Sequence, residues 1–516
     1  MAWSDAFIQR ISAPTRSGEI WIVEVFEAYQ EPNGGSYSIS TAEGYGTETI
    51  MAGPPRITGS RLTPVTWAST VGSCSVDIAG EIRTLERHIT RGTVVRVLCG
   101  FVGWQYSDFE VVTWGMVWDR VGSGVSHTLE IRDPISALQN RMSTLPPEGF
   151  NTNEHTTTLS ANYTVGNATI TVGATSSFEY DTTTPIGVIK IASFYLTYTG
   201  QTATTFTGVS AAGQFGTTAA NAAAGDTVTE AVILRGHPLE VALRLLLSRG
   251  VTGNSSYDHY PEKWGWGIHQ QLIDIDDVED WRDNVVKVAS GSYQWDVIIE
   301  GRWDNPGSSL VGLLQSAGLY ATIRQGKLTI RGGKNPVMSS TPPYLADYAI
   351  DDDDIVADWS GITSSMCDPN HATEYRFARF STNATTLETD EGATGTLPSE
   401  RSYTYDCSDI VFSNESAVRT EMSDRLSTCV LRVPNAVRLR LAGMRFAALA
   451  PGDVIALRTE RISGRIDYTA DGGRLCLVTQ VSPDWSKNIV DITLNSYPEA
   501  ATEFETYSGY VLDSGP

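Results

Sequence analysis

Between Asp274 and Asp280 the chain carries five carboxylates, Asp274, Asp276, Asp277, Glu279 and Asp280. Carboxylates at alternate positions are what a hard divalent cation asks of a loop, and the first two places of a calcium loop are matched. Val278 then stands where a third ligand is needed, and Glu279 where the sharp turn needs a glycine, so no metal is expected. Asp351 to Asp354 form a second run, which could hold a cation if folded back but reads better as a solvated face. His237, His259 and His269 share a stretch with Trp264, Trp266, Trp281 and Trp303. Their spacing fits no zinc pattern. The indoles suit stacking on sugar rings or packing at a core or subunit interface, and packing is the favoured reading.

Nucleophilic and nucleotide chemistry leave no trace. No HExxH, GxSxG or GxxxxGK is present, nor a GxGxxG after a strand. Cys74, Cys99, Cys367, Cys407, Cys429 and Cys476 are scattered singly and read as free thiols in a reducing compartment. No catalytic, cofactor-binding or metal residue is therefore assigned, and the chain is expected not to be an enzyme. The paired carboxylates of a glycosidase meet only in three dimensions, so a wall-degrading activity stays open as an alternative.

Charge narrows the partners. Acidic residues outnumber basic ones by 60 to 37, a formal charge of −23, and a standing grip on nucleic acid needs the opposite balance. Transient passage of DNA along a carboxylate-lined duct remains compatible with it. No apolar run approaches the roughly 20 residues of a membrane span, and no leader pattern opens the chain, so neither signal nor anchor is expected.

The elements that must position these residues are mainly strands. EIWIVEVFEAY from Glu19 alternates bulky apolar and polar positions; the segment from Trp67 and VVRVLCG within the run from Thr93 are β-branched and Gly-punctuated, and FEVVTWGMVWDRV from Phe109 and SHTLEIRD from Ser126 read as two more strands joined by a GSG turn. Asp133 and Pro134 start a short helix that ends before Pro146 and Pro147. Thr157 to Val232, rich in Thr, Ala and Gly, reads as an inserted small β-module. Pro238 opens a helix stopped at Gly250, and another begins at Ser308. A tight hairpin turns at Gln325 and Gly326. From Asp351 the chain is acidic and then polar up to YTYDCSDIVF, followed by a helix stripe at Val418, Met422, Leu426 and Cys429. Four alternating runs, from AVRLRLAGMRF to NIVDITLNSYP, then suggest a second β-barrel or small sandwich. At 516 residues several domains are expected: 1–145, 150–232, 233–345 and 346–516, the last with a hub-like barrel at about 416–499.

The order of these motifs resembles the tail hub family of long-tailed phages. The set VVRVLCG, WGMVWDRV, HTLEIRD and ISALQNR, then HPLEVALRLLLSRG and SLVGLLQSAGLYATIRQGKLTIR, and finally APGDVIAL at Ala450 to Leu457 carry the likeness, which spans most of the chain. The insert is similar to a small β-module recurrent in tail proteins, with SAAG at Ser210 to Gly213 in place of an Arg-Gly and Asn221 in place of a frequent His. The resemblance implies a mainly β, α+β multidomain fold with two β-barrel-like hub domains, an inserted β-module and a helix-plus-hairpin middle domain. It further implies a homotrimeric structural hub or baseplate component at the distal end of a virion tail. Such a hub adapts threefold to sixfold symmetry between a distal tail protein ring, the tape-measure protein and tail fibres or spikes, and opens for DNA ejection. A wall-degrading enzyme or a receptor- or carbohydrate-binding tip protein is the alternative.

Overall fold

The computed structural model describes residues 3–13, 18–26, 37–63, 67–70, 72–80, 84–133, 135, 156–176, 178, 187–214, 217–247, 268–286, 295–300, 306–332, 348–356, 361–365, 374–379, 387–390, 402–407, 410–412, 435–462, 468–469 and 473–496. The fold is mainly β and multidomain, as its alternating runs predict.

After a short helix, Asp5–Ile11 (α1), capped by the Ser4 side chain, the first sheet is built from Glu19–Val25 (β1), Ser38–Ser40 (β2), Arg56–Ile57 (β3), Cys74–Ala79 (β6), Val94–Phe101 (β7), Glu110–Ser123 (β8) and Ser126–Arg132 (β9), in the order β2-β1-β7-β8-β9-β6-β3. Every residue of β7 is buried. The period of two explains how: Val95, Val97, Cys99 and Phe101 face one core, while Val94 and Leu98 face others. Arg96 lies on that second face, directly opposite Glu24 of β1, and the two form a buried ion pair. A second short helix, Leu85–His88 (α2), buries Leu85 in the first core.

The Thr-rich segment leaves and returns side by side. Thr156–Thr158 (β10) pairs antiparallel with the long strand Thr227–Gly236 (β16), Thr158 opposite Thr227. Between them Gly187–Ile191 (β12) and Phe194–Tyr198 (β13) extend the same sheet, and Thr169–Thr171 (β11), Gly200–Gln201 (β14) and Thr205–Thr207 (β15) form another. Leu159, Ile170, Ile189, Leu196, Phe206 and Val228 belong to a core of its own. Beyond it β16 runs on to pair with Trp295–Glu300 (β17), which pairs with Ile410–Phe412 (β25).

Next come Pro238–Leu247 (α3), Ile275–Asp280 (α4) continuing into a π-turn at Trp281–Val285, Pro306–Ser316 (α5), and the hairpin Leu319–Arg324 (β18) and Lys327–Gly332 (β19). Leu243, Leu246, Leu310, Leu314, Leu328 and Ile330 share one core there. Gln325 and Gly326 both have positive φ, 47° and 75°, the primed turn expected of a two-residue loop. α3 starts at Pro238, as expected, and α5 at Pro306, two residues before the expected Ser308, each on the residue whose fixed φ suits a first turn.

The last sheet holds Tyr348–Ile350 (β20), Thr363–Ser365 (β21), Asn435–Ala442 (β26), Val454–Leu457 (β27), Arg474–Asp484 (β28) and Ile489–Ser496 (β29), in the order β20-β27-β28-β29-β26-β21. Its inner residues Val437, Leu439, Leu441, Val490, Ile492 and Leu494 join the core already lined by β1 and β7. Ser60–Thr63 (β4), from the N-terminal region and itself paired with Ala68–Thr70 (β5), adds to β28 with Arg61 opposite Gln480. The first and last sheets thus fold around one interior.

Two expectations change. Glu374–Arg379 (β22), Leu387–Asp390 (β23) and Ser402–Cys407 (β24) make a three-stranded sheet, the first two strands falling in the stretch expected to be a polar connection; their short runs, EYRFAR and LETD, are dominated by charged and polar residues. Neither the first nor the last sheet, expected to be β-barrels, closes as a barrel of continuous ladders. The terminal strands are too short, two and three residues at β3 and β2. Instead a bent segment spans each gap, parallel to one neighbour and antiparallel to the other. In the first sheet Ile39 pairs parallel with Glu48, and Met51 antiparallel with Ile78. In the last, β20 pairs parallel with β27 while Ile355, a few residues on, pairs antiparallel with Leu441.

The helices expected after Pro134 and across Val418 to Cys429, and residues His259, Trp264, Trp266, Trp303, Cys367 and Cys429, lie outside the described residues, Ile135 excepted.

Candidate functional site at the junction of the middle and C-terminal regions

Three motifs that stand far apart in sequence meet at one buried cluster. Arg331, at the end of the GKLTIR strand β19, reaches Asp277 of α4 with Nε and Nη2 at 2.8 and 2.5 Å, and Asp453 of the PGD turn with Nη1 at 2.6 Å. The Asp453 side chain is fully buried and that of Arg331 is 6% exposed, so water cannot screen the pair. The other oxygen of Asp453 accepts the Ala450 N–H at 2.8 Å and fixes its own turn, and Thr329 donates its hydroxyl to Asp277 at 2.5 Å. Arg324, one strand over, lies 3.6 Å from Asp277 and 3.8 Å from Asp453.

The turn itself is shaped to fit. Gly452 has φ +93°, and a Cβ there would fall 1.5 Å from the Tyr320 hydroxyl, so both conformation and space demand glycine. Tyr320 donates that hydroxyl to the Pro451 carbonyl at 3.1 Å. Its ring stacks on Trp67, with centroids 6.0 Å apart, so the loop between β4 and β5 reaches the same point. N-terminal, middle and C-terminal segments are therefore keyed together at Tyr320 and Arg331.

The electrostatics suit holding rather than reacting. Burial pushes the Asp277 carboxyl up, but the hydrogen bonds and charge of Arg331, with Thr329 and Arg324, outweigh it and hold the group below the usual carboxylate range. Burial likewise opposes the Arg331 charge, and its bonds to Asp277 and the charge of Asp453 prevail and raise it. Asp283, Asp352 and Asp484 are also held low, through their arginine, lysine, backbone or hydroxyl partners. A general acid at neutral pH needs the opposite displacement. Between Asp277 and Asp453 the space for a cation is taken by the guanidinium.

The acidic runs are absorbed in structure. Asp274 to Asp280 lie at and within α4, with Glu279 3.6 Å from Arg282 and Asp280 accepting from Asn284. Asp352 accepts from Thr459 and from the Glu460 N–H, Asp354 pairs with Arg445, and Asp351 accepts the Asp353 N–H. Among the described residues no cluster of three or more His, Cys, Asp or Glu is placed to hold a metal. His237 and His269 accept the N–H two residues on, from Leu239 and Gln271, and Trp281 is buried beneath Arg331, 5.6 Å from its ring centroid. In the insert, Asn221 accepts the Val165 N–H at 3.0 Å. Sequence reading missed the partners of Arg331 and the Glu24–Arg96 pair. The available signal for the latter was one charge inside each of two apolar runs, IWIVEV and VVRVLCG.

The architecture thus defines a mainly β body whose terminal sheets share a core and whose middle hairpin locks them. Solved structures similar to the chain include tail and prophage tail proteins. A tail protein from Neisseria meningitidis aligns over 93% of this chain and 97% of its own at 11% identity and a TM-score of 0.40. A prophage tail protein from Shewanella oneidensis aligns over 92% and 98% at 11% and 0.35, and one from Listeria monocytogenes over 96% and 100% at 10% and 0.36. Likenesses of this depth carry no functional argument by themselves. No family model and no curated protein matches the chain.

Proposed function

We propose that the chain is a structural component of a phage tail, a hub that closes the distal end of the tube and carries the tip apparatus. The observation that carries this reading is the common plan of the two terminal sheets. Each is an antiparallel run whose gap is bridged by a bent segment, parallel to one neighbour and antiparallel to the other. Two like units in one polypeptide, packed on one core, are what a threefold ring needs to present a pseudo-sixfold face to a hexameric tube. The motif order from VVRVLCG to APGDVIAL favours the same assignment.

On this reading the chain acts without catalysis, as a homotrimer in the virion, docked on the distal tail protein ring, meeting the tape-measure protein and tail fibres or spikes, and opening for DNA ejection. The division into 1–145, 150–232, 233–345 and 346–516 belongs to the same proposal. Light scattering on the purified full chain tests it. A mass of three chains is expected, and a stable monomer at assembly concentrations overturns the ring. A zymogram on cell wall polymer that clears would replace the structural role with an enzymatic one.

A further inference from the structure

We infer that Arg91, Arg132 and Trp118 form a docking point for an acidic segment of a partner protein. Trp118 sits where the register of β8 against β9 slips between Val117 and Asp119, and such a bulge re-aims a side chain. One part of the indole packs on the middle core. Over the ring stand two guanidiniums, the Cζ of Arg132 3.5 Å and that of Arg91 4.4 Å from the centroid. Those distances hold the two cations within about 8 Å of each other.

Two like charges gathered on one side chain repel, and the ring attraction offsets only part of that cost. An anion bound within reach of both offsets the repulsion. Acidic residues exceed basic ones by 60 to 37, yet among the described residues no carboxylate pairs with Arg91 or Arg132, whereas neighbouring Arg120 is bonded to Glu86 and Arg56 to Asp77. Arg91 is exposed and Arg132 half-buried. A guanidinium stacked by its face keeps its N–H donors in plane, free to fork onto carboxylate oxygens.

The surroundings choose between anions. Asp119 on β8 and Glu130 on β9 are exposed beside Trp118 and Arg132 in sequence, as is Glu86 on α2, and a long polyanion such as duplex DNA would bring its charge against them and against a chain of charge −23. A short peptide offering a few carboxylates meets less of that repulsion.

The test uses the full chain and a fluorescein-labelled hexaglutamate peptide, followed by anisotropy at roughly 50 mM salt, where exposed charges are weakly screened. Saturable binding is expected, about tenfold weaker in Arg91→Gln/Arg132→Gln, unchanged in Arg56→Gln, and retained within about threefold in Arg91→Lys/Arg132→Lys. Absence of saturable binding by the unaltered chain overturns the inference whatever the variants do. So does equal weakening by Arg56→Gln, or tighter, Arg91- and Arg132-dependent binding of a duplex of about twenty base pairs, which would make the site a phosphate reader.

Discussion

Trp21 of β1 and Trp485, just beyond β28, meet edge to face with ring centroids 4.9 Å apart, and both are buried. The contact joins the first sheet to the last. Aromatic pairs in this geometry add to the large apolar area each ring buries. Trp485→Ala should therefore cost about 3–5 kcal/mol and loosen both sheets together. Urea denaturation followed by near-ultraviolet circular dichroism checks this, with one shared transition expected. Loss of the C-terminal signal alone would show the two ends to be energetically separate.

Arg331 joins β19 to α4 and to the PGD turn in a site closed to water. Removing one partner of a buried pair strands the other charge, at a cost of about 3–5 kcal/mol. Arg331→Met should lose that much, and Arg331→Met/Asp453→Asn should recover part of it because the more deeply buried of the two stranded carboxylates is gone. A double-mutant cycle measured by chemical denaturation supplies the coupling. Additive losses would mean that the two side chains do not act as a unit.

Much of this frame is written in periodicities. The strands β1, β7, β8 and β9, the proline that opens α3, the turn at Gln325 and Gly326, and the bend at Gly452 are each set by local chemistry, so each is legible. What is not legible is which surfaces meet. Asp277 reads as one of five acidic residues, and nothing local says that it alone turns toward Arg331, 54 positions on. The addition of β4 to β28 is equally silent, since an edge strand carries no mark of its distant partner. The gap in each sheet shows only once strand lengths are known in space.

The lowered Asp277 carboxyl makes part of the stability depend on pH. A carboxyl whose folded pKa lies below its unfolded value of about 3.9 stabilises fully above that value and loses the contribution as pH falls through the folded one. Below about pH 4 the thermal midpoint of the native chain should drop, and Asp277→Asn should drop less steeply from a lower starting point. Parallel slopes in the two proteins would assign acid sensitivity to other groups.

Burial pushes the thiols of Cys74 and Cys476 up to about 12, and both side chains lie in the shared core. The thiolate is the reactive form. At pH 8 a disulfide-exchange reagent should leave these two unlabelled in the native chain and label them in denaturant, as peptide mass mapping would show. Native labelling of Cys476 would mean that the shared core opens on the time scale of the reaction.

Since Thr158 stands opposite Thr227, residues 159–226 can be replaced by an Asn-Gly turn without moving either strand. The core they contain shares no residue with the two larger ones, so its loss removes no contact that holds the terminal sheets together. β16 forfeits its pairing with β12 but keeps β17. The shortened chain should melt within about 5 °C of the full one and keep its association state in light scattering. A larger fall would show that the insert braces the body, and loss of association with an unchanged melting point would place it at a subunit contact.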